Sequence, residues 1–341
     1  MDNQTKHKLK LWLGVGTFVL ASYGTAQGAT HPPGQPPENG VGHPVPEATW
    51  SSGRWAWRPT PLWSAMHGGE GGEAGTCAKM LPPALLGKTG GGEGGEGGEG
   101  GGHRRDSAAD DALLGCYLHL MEGHLRVGME ALQRGDETMA RSHFAHPVQE
   151  VYDEIAQTLQ QRNAAALKEA LEALIRADDA TALRERHAKV MARLRAALET
   201  IPASRRDAAP FVTGIALALL RTAAHEYEEA VDGGNVVNRI EYMDARGFTL
   251  TTRELLRAQA PALRRRNGDA AESLMARVDE LLAALPHDNP AAGQAPPVSR
   301  VLGLVSAAEF QVNAIAPELS RGMGGEGGEG GEGGERGKRA H

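Results

Sequence analysis

Between residues 107 and 320, apolar side chains recur at intervals of three and four, the period of one helix face, and no stretch alternates like a strand. The first stripe is Leu114, Leu118, Met121, Leu125, Gly128 and Leu132, which predicts a helix from an Asp106-Ser107 cap to about Gln133. Gly135-Asp136 breaks it. A short helix then reaches about Phe144, and His146-Pro147 restarts another to about Arg162, with Pro147 in its first turn. Helices over Leu167–Arg176 and Leu183–Leu198 follow. The most apolar one begins near Pro210, carries Phe211, Ile215, Leu217, Leu219 and Leu220, and ends near Asp232-Gly233-Gly234. Thr251 with Glu254, and Asp269 with Glu272, have capping-box spacing, with helices running on to about Arg266 and Leu285. Pro286 to Pro297 reads as a linker and Val298 to Ile315 as the last helix.

An internal repeat organises this body. Gln160-Gln161-Arg162-Asn163 and Arg264-Arg265-Arg266-Asn267 each precede an Ala/Leu/Glu helix. Upstream, His124 precedes the Gly135 turn as His225 precedes the Gly234 turn. The expected fold class is therefore all-α: a helical bundle of two related four-helix units, with halves at about 107–202 and 207–320.

The remainder of the chain has a different composition. Most of the 45 Gly and 19 Pro that mark the sequence fall outside the body, in Pro clusters and in Gly/Glu tracts at 68–73, 90–102 and 322–335. Such segments bury too little apolar area to offset their ordering entropy, so 30–106 and 321–341 are expected to be disordered arms. Their regularly spaced carboxylates either keep the chain soluble or gather cations weakly. Trp50, Trp55, Trp57 and Trp63, interleaved with Arg54 and Arg58, form a segment that docks a partner or a membrane interface, or packs onto the helical body as an arm. Residues 1–29 have the Lys6/Lys8/Lys10 start, the apolar Leu11–Ala21 run and the small residues of a cleavable signal peptide. The run is too short for a span, so the expected location is periplasmic or secreted, with no integral membrane span after cleavage. Cys77 and Cys116 either pair there or remain free thiols. A net charge of −7 argues against a nucleic-acid partner.

Seven of the 13 histidines lie in the body, and four cluster between 119 and 146. His119 and Glu122 are an i, i+3 pair able to reach one ion. His124 lies about 140° further round the same helix. His143, His146 and Glu150 form a second set with Glu154, and His225 with Glu228 repeats the i, i+3 spacing in the second half. Glu241, Tyr242 and Asp244 lie beyond the Gly-Gly turn. Imidazole and carboxylate directed into a helical bundle suit borderline ions, which places iron first, then copper and zinc. Met121, Met129 and Met139 would favour copper. Against this stands the reading of each His as a surface or hydrogen-bonded core residue.

No Gly-x-Ser-x-Gly, phosphate-binding Gly-Lys-Ser/Thr loop, dinucleotide fingerprint or Cys-x-x-Cys-His occurs, so no enzyme is expected. The combination resembles imelysin-type metal-uptake proteins, which carry a Gly-x-His-x-x-Glu motif. His119-Leu120-Met121-Glu122 and His225-Glu226-Tyr227-Glu228 match its His-x-x-Glu part, with Tyr117 and Ala223 where the motif has Gly. The resemblance implies iron binding or accessory iron uptake without catalysis, by an exported protein with a duplicated helical bundle. The expected function is thus an exported metal-binding protein for iron uptake or storage, with His119, Glu122, His124, His143, His146, Glu150, His225 and Glu228 as metal ligands and an envelope protein as possible partner. The alternative is a scaffold that docks a partner through 50–63.

Overall fold

The computed structural model describes residues 75–87 and 107–320. The signal segment, the Trp/Arg segment 50–63 and the Gly/Glu tracts lie outside the described residues. What is described is all-α, as the periodicity predicts, apart from one two-residue-stranded hairpin.

The chain runs through α1 (Thr76–Met80), α2 (Ser107–Gln133), α3 (Glu137–His146), α4 (Tyr152–Gln161), α5 (Ala166–Ile175), α6 (Ala180–Glu199) and α7 (Ala203–Arg206). It continues through α8 (Ala209–Ala230), α9 (Arg239–Ala258), α10 (Ala260–Arg266), α11 (Gly268–Ala284) and α12 (Val298–Ile315). In the first half, α2, α3, α5 and α6 close a ring, each packed on the next. In the second half, α8, α9, α11 and α12 close another in the same way. The rings meet chiefly where α2 lies against α9, with α2 also touching α8 and α3 touching α9. The buried apolar residues of both form one continuous core, in which α2 is central. Leu114, Leu118, Leu120, Met121, Leu125 and Val127 have no exposed surface although they point in different directions round α2.

Three local departures from the sequence reading have physical causes. His146-Pro147 does not restart a helix. The chain passes from α3 to α4 through a π turn at Pro147–Val151, where the Tyr152 N–H donates to the Pro147 carbonyl five residues back. Proline has no N–H to continue the α ladder, and the wider turn absorbs the mismatch. Thr251 and Glu254 lie inside α9, because Asn238 caps that helix upstream by accepting from Ile240 N–H. Asn267, not Asp269, caps α11 by accepting from Ala270 N–H. Beyond α8 the chain makes an antiparallel pair, Val231 opposite Val236, round Gly233 and Gly234 at φ 55° and 79°. Two successive positive φ values are the demand of a type I′ hairpin turn, which glycine meets without strain.

Two links tie the periphery to the core. Cys77 and Cys116 are joined in a disulfide, fastening α1 and the 75–87 segment to α2. Asp111, buried near the start of α2, receives Arg162 from the end of α4 and Arg205 from α7. Both guanidiniums meet the same buried side chain, so Asp111 ties the start of α2 to α4 and α7.

Candidate metal centre

The crossing of α2 and α9 is set by two glycines. A Cβ on Gly247 would come within 2.5 Å of the Gly123 carbonyl oxygen, and one on Gly123 within 2.5 Å of the Phe248 ring. The two backbones therefore approach more closely than any larger residue allows. Each glycine's neighbourhood carries a polar side chain into the seam: His124 follows Gly123, and Asp244 precedes Gly247 by about one turn. Gly128 plays the same part towards α3, since a Cβ there would lie 2.6 Å from the Phe144 ring. Phe144 is fully buried between His143 and His146, and its docking on α2 turns those histidines towards the seam.

The result is a buried group of His124, His143, His146 and Asp244, whose potential ligand atoms all lie within 4.8 Å of one another. Nδ1 of His124 donates to Asp244 Oδ1 at 2.7 Å, and Nδ1 of His143 to the same oxygen at 2.9 Å. Nδ1 of His146 faces Oδ2 at 3.4 Å. The imidazoles pack edge to face, with ring centres 5.0 Å apart for His124 and His146 and 5.5 Å for His143 and His146. Phe248 closes one side against His124.

Electrostatics divide the group. Burial alone would raise the Asp244 pKa, but the imidazoles of His124 and His143 hold it well below its ordinary value, so it is a carboxylate at neutral pH. Burial pushes His143 down despite Asp244, leaving that ring neutral. At His146 burial also pulls down, but the Asp244 carboxylate facing it, with the charge of Glu150 added, outweighs it, and the pKa is raised. Two nitrogens remain buried without a hydrogen-bond partner: Nε2 of His143 and Nδ1 of His146. Leaving such atoms unsatisfied costs about 1–3 kcal/mol each. An ion with imidazole and carboxylate ligands satisfies them. Tetrahedral bonds of about 2.0–2.1 Å put neighbouring donor atoms about 3.3 Å apart, inside the 4.8 Å that bounds the group. Three imidazoles and one carboxylate suit Fe(II), Cu(II) or Zn(II) and are poor ligands for Ca²⁺ or Mg²⁺.

The other sequence candidates are placed elsewhere. His119 and Glu122 pair with each other at 3.0 Å, and Arg126 adds a 2.6 Å bond to Glu122. Burial raises the Glu122 pKa, but His119 and Arg126 together bring it down to about 2. His119 lines a cleft with Arg195, Arg206, Phe211 and Leu255. His225 is exposed on α8 and Glu228 is half-buried; neither is in the group of four. Glu150 is half-buried on the π turn, outside the four but near enough for its charge to act on His146. Asp244 was not among the expected ligands. The signal that marks it is a lone carboxylate between the buried Met243 and Ala245, one turn before a Gly-Phe pair on the same face.

A family model of the iron permease-associated 4-helix bundle domain matches residues 202–318. That span contains the whole second ring, so it supplies Asp244, while the three histidines come from the preceding half. The match links the chain to iron permeation, an association with transport and not with catalysis. Searches of curated proteins and of solved structures return no match, and the imelysin resemblance is not supported by any comparison. The expected periplasmic or secreted location is corrected: the matched domain is iron permease-associated and iron permeases are integral membrane transporters, so the match associates this bundle with a membrane system. Among the described residues no helix is long and apolar enough to cross a membrane.

Proposed function

We propose that the helical body binds one transition-metal ion, iron foremost, through His124, His143, His146 and Asp244, and serves iron uptake as the ion-holding companion of a permease. The observation that carries this reading is the pair of orphaned imidazole nitrogens beside a buried, ionised carboxylate. A bundle core gains nothing from three histidines and an aspartate unless something offsets their desolvation. The match over 202–318 supports iron as the cargo. The two rings act as jaws: α2 and α3 bring the imidazoles, α9 brings the charge, and Phe248 and Phe144 keep water out.

Metal analysis of the untagged full chain, loaded with Fe(II) without oxygen and then dialysed, tests this. One equivalent should remain, and His143→Ala and Asp244→Asn should each lose it. A chain that retains no metal, or one whose metal survives both substitutions, rejects the proposal. Retention of copper or zinc in preference to iron would keep the site and reject the cargo.

A further inference from the structure

The cleft beside His119 lies apart from the group of four and is open to solvent. It holds about 200 Å³ and takes its lining from both rings, His119 and Leu198 from the first, Phe211 and Leu255 from the second. That volume is below the size of a drug pocket and suits a smaller molecule. The floor is apolar and fixed. Phe211 is buried, and its ring rests on α2 where a Cβ on Gly115 would come within 2.9 Å of it. Leu198 and Leu255 are half-buried and line the cleft beside it. The charged rim divides into settled and open groups. Asp207 accepts from Arg206 at 3.2 Å and from Gln259 at 3.3 Å, and His119 is paired with Glu122. Arg195 and Glu199 are left. Both are exposed and line the cleft, and neither has a hydrogen bond or ion pair among the described residues. They lie one turn apart on α6, so they share a face. Arg before Glu is the weaker order for such a pair, and Glu199 is the last residue of α6, where the helix dipole disfavours a carboxylate. An incoming ammonium relieves Glu199, and an incoming carboxylate matches the fork of the Arg195 guanidinium.

We propose that this cleft binds a free α-amino acid with an apolar side chain: Arg195 takes the carboxylate, Glu199 takes the ammonium, and the side chain rests on Phe211, Leu198 and Leu255. Two open charges of opposite sign above an apolar floor are the complement of such a molecule. A ligand with only one of the two charges leaves the other rim group without a partner, and an uncharged one leaves both. The cleft is a second binding site, independent of the ion site at the α2/α9 seam.

Calorimetric titration of the untagged full chain with L-leucine and L-phenylalanine tests this. One equivalent of each should bind with a dissociation constant below about 1 mM. N-acetyl-L-leucine lacks the ammonium and L-leucinamide lacks the carboxylate, and each should bind at least about tenfold more weakly than L-leucine. L-Leucine should weaken by the same factor in Arg195→Gln and in Glu199→Gln, exposed changes that should leave the unfolding midpoint as in the parent chain. Arg195→Gln should also lose the discrimination against L-leucinamide, and Glu199→Gln the discrimination against N-acetyl-L-leucine. Arg193→Gln, exposed on α6 but off the cleft, should match the parent. A parent chain that binds neither amino acid below that limit overturns the proposal. So does N-acetyl-L-leucine or L-leucinamide binding as tightly as L-leucine, which would make the ligand a simple cation or anion. Parent-like binding in either Gln variant overturns it too, because the ligand would then sit elsewhere. Fe(II) retention is read separately: loss of amino-acid binding with the ion retained leaves the ion site standing, and the converse leaves the cleft standing.

Discussion

The two His-x-x-Glu pairs and the α2/α9 seam use the same residue types with opposite results. His119 and Glu122 share one helix face, find each other at 3.0 Å, and are completed by Arg126 near the surface. His225, in the same pattern on α8, is exposed. At the seam, residues 120 and 101 positions apart in sequence meet in the dry interior round a single carboxylate. A local pair satisfies itself and has no need of an ion. A convergent group built from three helices has more nitrogens than protons and oxygens to satisfy them, and that surplus gives it a reason to bind metal. Spacing on one helix therefore reports proximity, while the demand for a ligand arises from burial across helices.

The contrast is broken most severely at the carboxylate. Asp244→Ala should weaken Fe(II) or Co(II) binding by at least about 100-fold, read by equilibrium titration, whereas His119→Ala should leave it unchanged. Equal losses in the two variants would erase the distinction. Next comes the glycine crossing. Gly247→Ala drives a methyl into the Gly123 carbonyl and should cost about 3 kcal/mol in denaturant unfolding, together with weakened metal binding. By contrast, Gly303→Ala, on the exposed side of α12 where a Cβ meets nothing within 4 Å, should raise stability by about 0.5–1 kcal/mol.

The surface pair is sharpened by pH. The Glu122 carboxyl titrates at about 2 in the folded chain against an ordinary 4.5. Because its pKa is depressed by folding, its contribution is complete above pH 4.5 and is lost as pH falls towards 2. Glu122→Gln should therefore cost about 2 kcal/mol at pH 7, and the gap to the parent chain should close as pH falls through that window. A gap that stays constant from pH 7 to 3 contradicts the pairing. The smallest effect belongs to His225→Ala, within about 0.5 kcal/mol and with no change in metal uptake.

The helices and the all-α class were legible because burial on one face imposes a period that a single sequence displays. The bounds of α2 follow from its apolar stripe, the Asp106-Ser107 start and Gly135. The same logic brought His124, His143 and His146 forward as candidates in one stretch of chain. It left Asp244 aside because nothing local marks its partners, which are set by the approach of Gly123 to Gly247. It raised His119, Glu122, His225 and Glu228 because i, i+3 spacing is visible whether or not the face is buried. The π turn was illegible for a similar reason: Pro147 reads as a helix start, and only the docking of Phe144 on Gly128 and Tyr152 in the core keeps the helix continuous through it.

X-ray absorption at the iron edge, on the full chain loaded with one equivalent of Fe(II), reads the ligand set directly. The account predicts three imidazole ligands and one or more oxygen ligands at about 2.0–2.2 Å, with the imidazole signature reduced by one in His143→Ala. A first shell composed of oxygen alone, or an imidazole count that falls in His225→Ala and not in His143→Ala, would contradict it.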